Sequence, residues 1–102
     1  MVDDPQNFHV ALGHPLRREI LKLIIERTSD GQTMSPSEVE RETGVPIGNV
    51  SYHIRVLAKN GMLRLEDTEP VRGSVRHLYG PTPIANTRWV RESIGLDPLA
   101  EP

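Results

Sequence analysis

The amino-acid sequence predicts a mostly α-helical domain that carries one small β-hairpin. Two helices are marked by helical spacing of apolar residues, and a third by a capping signal between them. Two segments of alternating polarity follow, separated by a loop with Pro and Gly. The predicted content is four to five helices plus a two-stranded antiparallel hairpin. With 102 residues, the chain has room for one domain.

The first clear helix is predicted over residues 15–27. Pro15 suits the first helical turn, where its missing N–H is not needed, and His14 is expected at the helix start. Apolar residues then recur at helical spacing at Leu16, Ile20, Leu23 and Ile24.

A short helix is predicted over residues 36–43. Ser35 is a capping residue, Pro36 fits the first helical position, and Glu38 completes a capping box. Gly44 ends the helix because glycine adopts a left-handed backbone without strain.

The next helix, predicted over residues 47–60, is the most informative segment. At about 100° per residue, its apolar side chains cluster on one side, at Ile47, Val50, Ile54 and Leu57. A second face, well away from the first, holds Gly48, Tyr52, Arg55 and Lys59. This pattern is typical of a helix that lies between a core and a polar partner.

Short strands are predicted at residues 62–66 and 75–79, with a hairpin loop over 67–74. A final helix is predicted over 84–94, and the segment from 95 to 102 is expected to be loose. The predicted division of the single domain is therefore 1–83 for the main unit and 84–102 for a C-terminal dimerisation helix and tail.

Helix, short helix, glycine corner, longer helix and hairpin, in that order, predict a winged helix-turn-helix. In this fold the longer helix enters the major groove of duplex DNA and the hairpin, or wing, flanks it. Donor-rich and small residues of that helix are the candidate DNA contacts: Gly48, Asn49, Ser51, Tyr52, Arg55 and Lys59. The candidate contacts in the wing are Arg64, Arg72 and Arg76.

The net charge of −2 is distributed unevenly. Residues 1–45 carry −3, residues 46–80 carry +2, and residues 81–102 carry −1. A local positive surface is compatible with DNA, because counterion release depends on the phosphates that are contacted.

The sequence resembles the ArsR-type winged helix-turn-helix regulators over roughly residues 8–80. The resemblance is carried by Ala-Leu-Gly-His-Pro-Leu-Arg-Arg-Glu-Ile-Leu at 11–21, Val-Ser-Tyr-His-Ile-Arg-Val-Leu at 50–57, Asn-Gly-Met-Leu at 60–63 and the segment 73–79. It implies a homodimer, formed by the first and last helices, that represses transcription from a palindromic operator. It also implies a recognition helix at 46–60 and a wing at 64–78.

A dimer also agrees with the low apolar content of 36%, because a second chain adds to a small core. The expected interface residues are apolar side chains near both ends: Phe8, Val10, Ile84, Trp89, Val90 and Ile94. For the last three, packing within the chain is the alternative.

Metal, cofactor and enzyme activity are not expected. The chain has no cysteine, and its four histidines lack ligand spacing. We therefore expect no metal site, although the ArsR-type family includes metal-sensing members. His53 is expected to bind a backbone group or a phosphate. No nucleophile with a base and no phosphate-binding glycine loop is found. The sequence does not identify an inducer.

No apolar run approaches the roughly 20 residues that span a bilayer. The N-terminal segment is acidic where a secretory signal is basic, so a cytoplasmic location is expected. Two alternatives remain open for function. One is a winged-helix module that binds a protein, and the other is an architectural DNA-binding factor in recombination.

Overall fold

Helices make up most of the regular structure in the computed structural model, which describes residues 8–97. The elements in chain order are α1 (Phe8–Leu12), α2 (Pro15–Ser29), α3 (Pro36–Thr43), α4 (Ile47–Lys59), β1 (Leu63–Val71), β2 (Ser74–Pro81), a 3-10 helix (Ile84–Asn86) and α5 (Arg88–Ser93). The predicted fold class is confirmed. Within residues 8–97, no helix is both long and apolar enough to cross a membrane.

Helix α2 begins where the sequence predicted and continues two residues further, to Ser29. Its N-terminus is capped by His14, whose Nδ1 accepts a hydrogen bond from the Leu16 N–H at 3.1 Å. One side of α2 supplies the centre of the core through Ile20, Leu21, Ile24 and Ile25. Helices α3 and α4 pack against this side.

Helix α3 has the caps that the sequence predicted. The Glu38 N–H donates to Ser35 Oγ at 3.2 Å, and the Ser35 N–H donates to Glu38 Oε1 at 2.9 Å. Gly44 ends the helix with a φ of +77°, a backbone conformation that favours glycine. Ser35 is itself buried, so this cap also fixes the chain that enters α3.

Helix α4 buries the expected side at three of its four apolar positions, Val50, Ile54 and Leu57. The prediction that Ile47 is buried is wrong, because its side chain is 42% exposed. Ile47 is the first residue of the helix and precedes Val50, the first buried one. Its helical phase is that of the core side, but the core does not extend to this first turn.

The β-hairpin is longer than predicted. A loop over 67–74 was expected, whereas both strands continue to a turn at Arg72 and Gly73, with Gly73 at a φ of +63°. Pro70 favoured a loop in the sequence, but it lies in β1 opposite Val75. A proline is tolerated here because both strands of a two-stranded hairpin are edge strands.

The base of the hairpin is joined to the segment between α2 and α3. The Met34 N–H donates to the Tyr79 carbonyl at 3.1 Å, and the Tyr79 N–H donates to the Met34 carbonyl at 2.8 Å. A register shift between Leu65 and Asp67 then separates this base from the outer hairpin. The wing is therefore fixed at its base and extends from the core.

The C-terminal helix differs from the prediction of one helix over 84–94. The chain instead forms the 3-10 helix and then α5. Val90 has no exposed surface and Ile94 is 7% exposed, so both pack in the core of this chain. Their assignment to a dimer interface is corrected, because their surface is already covered.

The segment from residue 95 onward was expected to be loose, but Leu96 packs against the core. The Leu96 N–H donates to the Arg91 carbonyl at 2.8 Å.

Two terminal stretches lie outside the described residues. These are residues 1–7 of the unit predicted over 1–83, and residues 98–102 of the tail that was expected to be loose.

Two arginines of α2 fix the end of α1. Arg17 donates through Nη2 to the Val10 carbonyl at 2.7 Å and through Nε to the Ala11 carbonyl at 3.2 Å. Arg18 donates through Nη1 to the Leu12 carbonyl at 2.6 Å. The last carbonyls of a helix have no partner within it, so these bonds cap α1.

Arg17 also contacts α4, because its Nη1 lies 3.2 Å from Nδ1 of His53. A guanidinium has donors only, so the His53 Nδ1 is the acceptor and the imidazole is neutral, with its proton on Nε2. His53 is 6% exposed. Burial first, then the electrostatic effects of His14 and Arg17, lower the pKa of His53 from its ordinary value of 6.5.

The lowered pKa of His53 predicts that acid weakens the fold. Below pH 6.5 the unfolded chain binds a proton at His53 more readily than the folded chain does, so the free energy of unfolding falls as pH falls. The contribution is complete above pH 6.5 and is lost as pH decreases toward the lowered pKa. Thermal melts between pH 7.5 and 5.5 measure this dependence.

His53→Gln retains an acceptor for Arg17 but does not titrate, so its melting temperature should vary less over this range. His77→Gln is the matched control because His77 is an exposed histidine on the wing, and it should retain the wild-type dependence. Equal pH dependence in His53→Gln and in the wild type would contradict the role of His53.

Candidate nucleic-acid interface

The outward face of α4 presents the side chains that the sequence analysis selected. Gly48, Tyr52, Arg55 and Lys59 are separated by intervals of four, three and four residues, so they lie on one stripe of the helix. All four are exposed, and Tyr52 is 52% exposed. The stripe therefore presents a position without a side chain at Gly48, the aromatic hydroxyl of Tyr52, and the two cations.

The two remaining candidates of α4 flank this stripe on opposite sides. Asn49 is exposed and Ser51 is half-buried. The Asn49 carboxamide offers both a donor and an acceptor, which is the combination that recognises an adenine edge. The structure therefore brings all six α4 candidates to one helix and leaves five of them exposed.

The positive charge of this face is not neutralised by the chain itself. Helix α4 contains no acidic residue. Among residues 8–97, neither Arg55 nor Lys59 forms an ion pair. Both cations thus remain available for phosphates.

The N-terminus of α4 is held by an acid that the sequence analysis did not select. The Ile47 N–H donates to Oε2 of Glu40 at 3.0 Å, while Pro46 at the cap position offers no side-chain acceptor. Glu40 lies on α3, seven residues earlier, so only the angle between the two helices brings the carboxylate to this position. A carboxylate here also favours the positive end of the helix dipole.

The wing arginines differ from one another in their partners. Arg64 bonds Glu66 at 2.9 Å, and Arg76 bonds Glu69 across the two strands at 3.1 Å. Arg72 lies in the turn at the wing tip and, among the described residues, forms no ion pair. Of the three predicted contacts in the wing, only Arg72 therefore presents an unneutralised charge.

His53 is buried beside the outward face of α4 and contacts Tyr52 of that face. Its ring lies 5.2 Å from the Tyr52 ring in an edge arrangement, and 4.8 Å from the His14 ring. The expectation that His53 contacts a phosphate is corrected, because the side chain is buried and its Nδ1 bonds Arg17. The described residues contain no group of three or more His, Asp or Glu side chains that is arranged to hold a metal ion.

Comparison with known proteins agrees with this geometry. The family profile described as "Helix-turn-helix domain" matches residues 12–66, more than half of the chain, from the end of α1 into the first strand. No curated protein matches the chain. The matched family and the winged arrangement together support DNA binding. The chain therefore belongs to the helix-turn-helix domain family, and it has the winged form of that fold.

Proposed function

We propose that this chain is a transcriptional regulator without catalytic activity that binds specific sequences of double-stranded DNA. The observation that carries the proposal is the outward face of α4, where Arg55 and Lys59 are exposed without an acidic partner. In this proposal α4 enters the major groove. Asn49 and Arg55 contact base edges, while Lys59 contacts a phosphate.

The wing makes a smaller contact in this proposal. Arg72 at the tip reaches the adjacent backbone or minor groove. Arg64 and Arg76 contribute less, because a phosphate must first displace Glu66 or Glu69 from them. Exposed ion pairs contribute about 0–1 kcal/mol, so displacing the carboxylate costs a small amount of free energy.

We further infer an ArsR-type regulator that acts as a homodimeric repressor on a palindromic operator. The resemblance in the segments 11–21 and 50–57 supports this inference. A twofold dimer places two copies of α4 on half-sites about one helical turn apart, which explains why the operator is expected to be palindromic.

The proposed dimer interface uses the two ends of the domain, with residues 84–102 contributing its C-terminal part. The rings of Phe8 and Trp89 pack edge to face with centroids 4.1 Å apart, and Trp89 is still 46% exposed. Val10 is exposed and Ile84 is half-buried. These four side chains are the proposed contacts.

Direct DNA binding is tested by fluorescence anisotropy on duplex DNA across a salt series. Arg55→Ala should weaken specific binding by about 1–3 kcal/mol, because a base contact is lost. Arg72→Ala should weaken binding to all sequences alike and reduce the salt slope by about one unit. Arg88→Ala, which removes an exposed cation from α5, is the matched control and should change neither quantity.

Absence of binding even at about 50 mM salt would refute DNA binding and favour a winged helix that binds a protein. Cooperative binding that bends DNA without sequence preference would favour the architectural factor instead.

Removal of a wing acid should strengthen DNA binding. Glu69→Gln releases Arg76 from its ion pair, so one more cation is available for phosphates and the salt slope should steepen by about one unit. Glu92→Gln is the matched control, because it breaks the similarly exposed Arg88–Glu92 pair on α5. An unchanged slope in Glu69→Gln would mean that Arg76 lies away from the DNA.

Loss of the exposed ring at the proposed interface should weaken the dimer. Trp89→Ala should shift the chain toward the monomer in sedimentation velocity experiments, because aromatic side chains contribute much of the apolar area of interfaces. Leu65→Ala, which removes a comparably exposed apolar side chain from β1, should leave the association unchanged. A Trp89→Ala dimer as stable as the wild type would place Trp89 outside the interface.

A further inference from the structure

The first turn of α4 contains an exposed apolar side chain that the packing of the chain does not explain. Ile47 is 42% exposed and precedes the first buried residue of the helix. Single exposed apolar residues are common on protein surfaces, so exposure alone does not define a site. The neighbouring residue and the local hydrogen bonds supply the further evidence.

Gly48, beside Ile47, is not required by the fold. Its φ is not positive, and a Cβ added at this position meets no neighbouring atom within 4 Å. Alanine favours the helical backbone more than glycine does, so glycine makes α4 less stable than alanine would at this position. No contact within the chain requires the glycine. A glycine in such a place indicates clearance for an external molecule that approaches the helix closely.

The position of Ile47 is fixed rather than adaptable. Glu40 Oε2 accepts the Ile47 N–H at 3.0 Å, and the Asn49 and Val50 N–H groups both donate to the Pro46 carbonyl at 3.0 Å. The β-branched side chain is also restricted at χ1. The methyl groups of Ile47 are thus held beside the gap at Gly48.

The surroundings of Ile47 determine which external molecule fits. In a helix-turn-helix domain, the N-terminal residues of the recognition helix contact base edges in the major groove. The apolar group that the bases present in that groove is the C5-methyl of thymine. Asn49, two residues further on, carries the carboxamide that pairs with adenine. Ile47 and Asn49 lie about 200° apart around the helix, so they face different base pairs, and the thymine is matched by Ile47 alone.

We propose that Ile47 is a specificity-determining residue that contacts a thymine methyl group, with Gly48 providing the clearance for that contact. The inference rests on the proposed function, because it requires α4 to lie in the major groove. It adds a base preference to that function. Thymine is favoured over cytosine at one position of each half-site, through its methyl group rather than through a hydrogen bond.

The test uses duplexes selected from a random library by the purified wild-type chain. Each thymine of the selected site is then replaced by uracil, which lacks the methyl group but pairs identically. The wild type should lose about fourfold in affinity at one thymine of each half-site, the equivalent of one methyl group removed from an apolar contact. Ile47→Ala should bind the thymine site more weakly and should show no further loss with uracil.

Two controls separate this contact from general effects. Leu65→Ala removes a similarly exposed apolar side chain from β1 and should retain the full sensitivity to uracil. Gly48→Ala should melt at the same temperature as the wild type or higher, and yet bind the selected site more weakly. Gly48→Ala with unchanged affinity would overturn the clearance argument.

The outcomes distinguish this inference from the proposed function. Selection of a preferred site, with a wild type that is insensitive to every uracil substitution, would overturn the thymine contact and leave sequence-specific binding intact. Equal sensitivity to uracil in Ile47→Ala and in the wild type would overturn it as well, since another residue would then contact the methyl group. Failure to select any preferred sequence would overturn both.

Discussion

The guanidinium of Arg17 joins α4 to α1 and α2. Three of its nitrogens are engaged at once, with two carbonyls at the end of α1 and with the imidazole of His53 in the middle of α4. These partners lie on elements that meet at the start of α2, so one planar group fixes the relative placement of three helices. The rigid fork geometry of arginine suits this task better than a flexible ammonium group does. Together with the buried apolar side of α4, this junction positions the outward face of the helix.

Local signals in the sequence predicted the helices well. The capping box at Ser35 and Glu38, the proline at the next position and the stop at Gly44 each act within a few residues, so α3 was located at its observed bounds. The exposed stripe of α4 followed from helical spacing alone. Helical periodicity and capping depend on neighbours in the chain, and such information is fully present in the sequence.

Features that depend on other elements were not predictable. Ile47 follows the apolar spacing of α4, and only the packed structure reveals that the core ends before it. Pro70 marks a loop by composition, whereas the hairpin continues through it because no third strand pairs there. The same holds for the site. Its candidate residues were selected by type and spacing, but the carboxylate of Glu69, which neutralises Arg76, was recognised only once the two strands were aligned.

The outer hairpin contributes nothing to the core. Every residue from 64 to 75 is exposed, while the Met34–Tyr79 bridge fixes the hairpin base. Substitutions, insertions and deletions in this segment therefore leave the buried residues unchanged, and a two-stranded extension of altered length still begins from the same base. Selection on stability acts weakly on such a segment, so its sequence can diverge without a cost to the core. A lineage that acquires a new target sequence can revise the wing while the helical scaffold stays as it is.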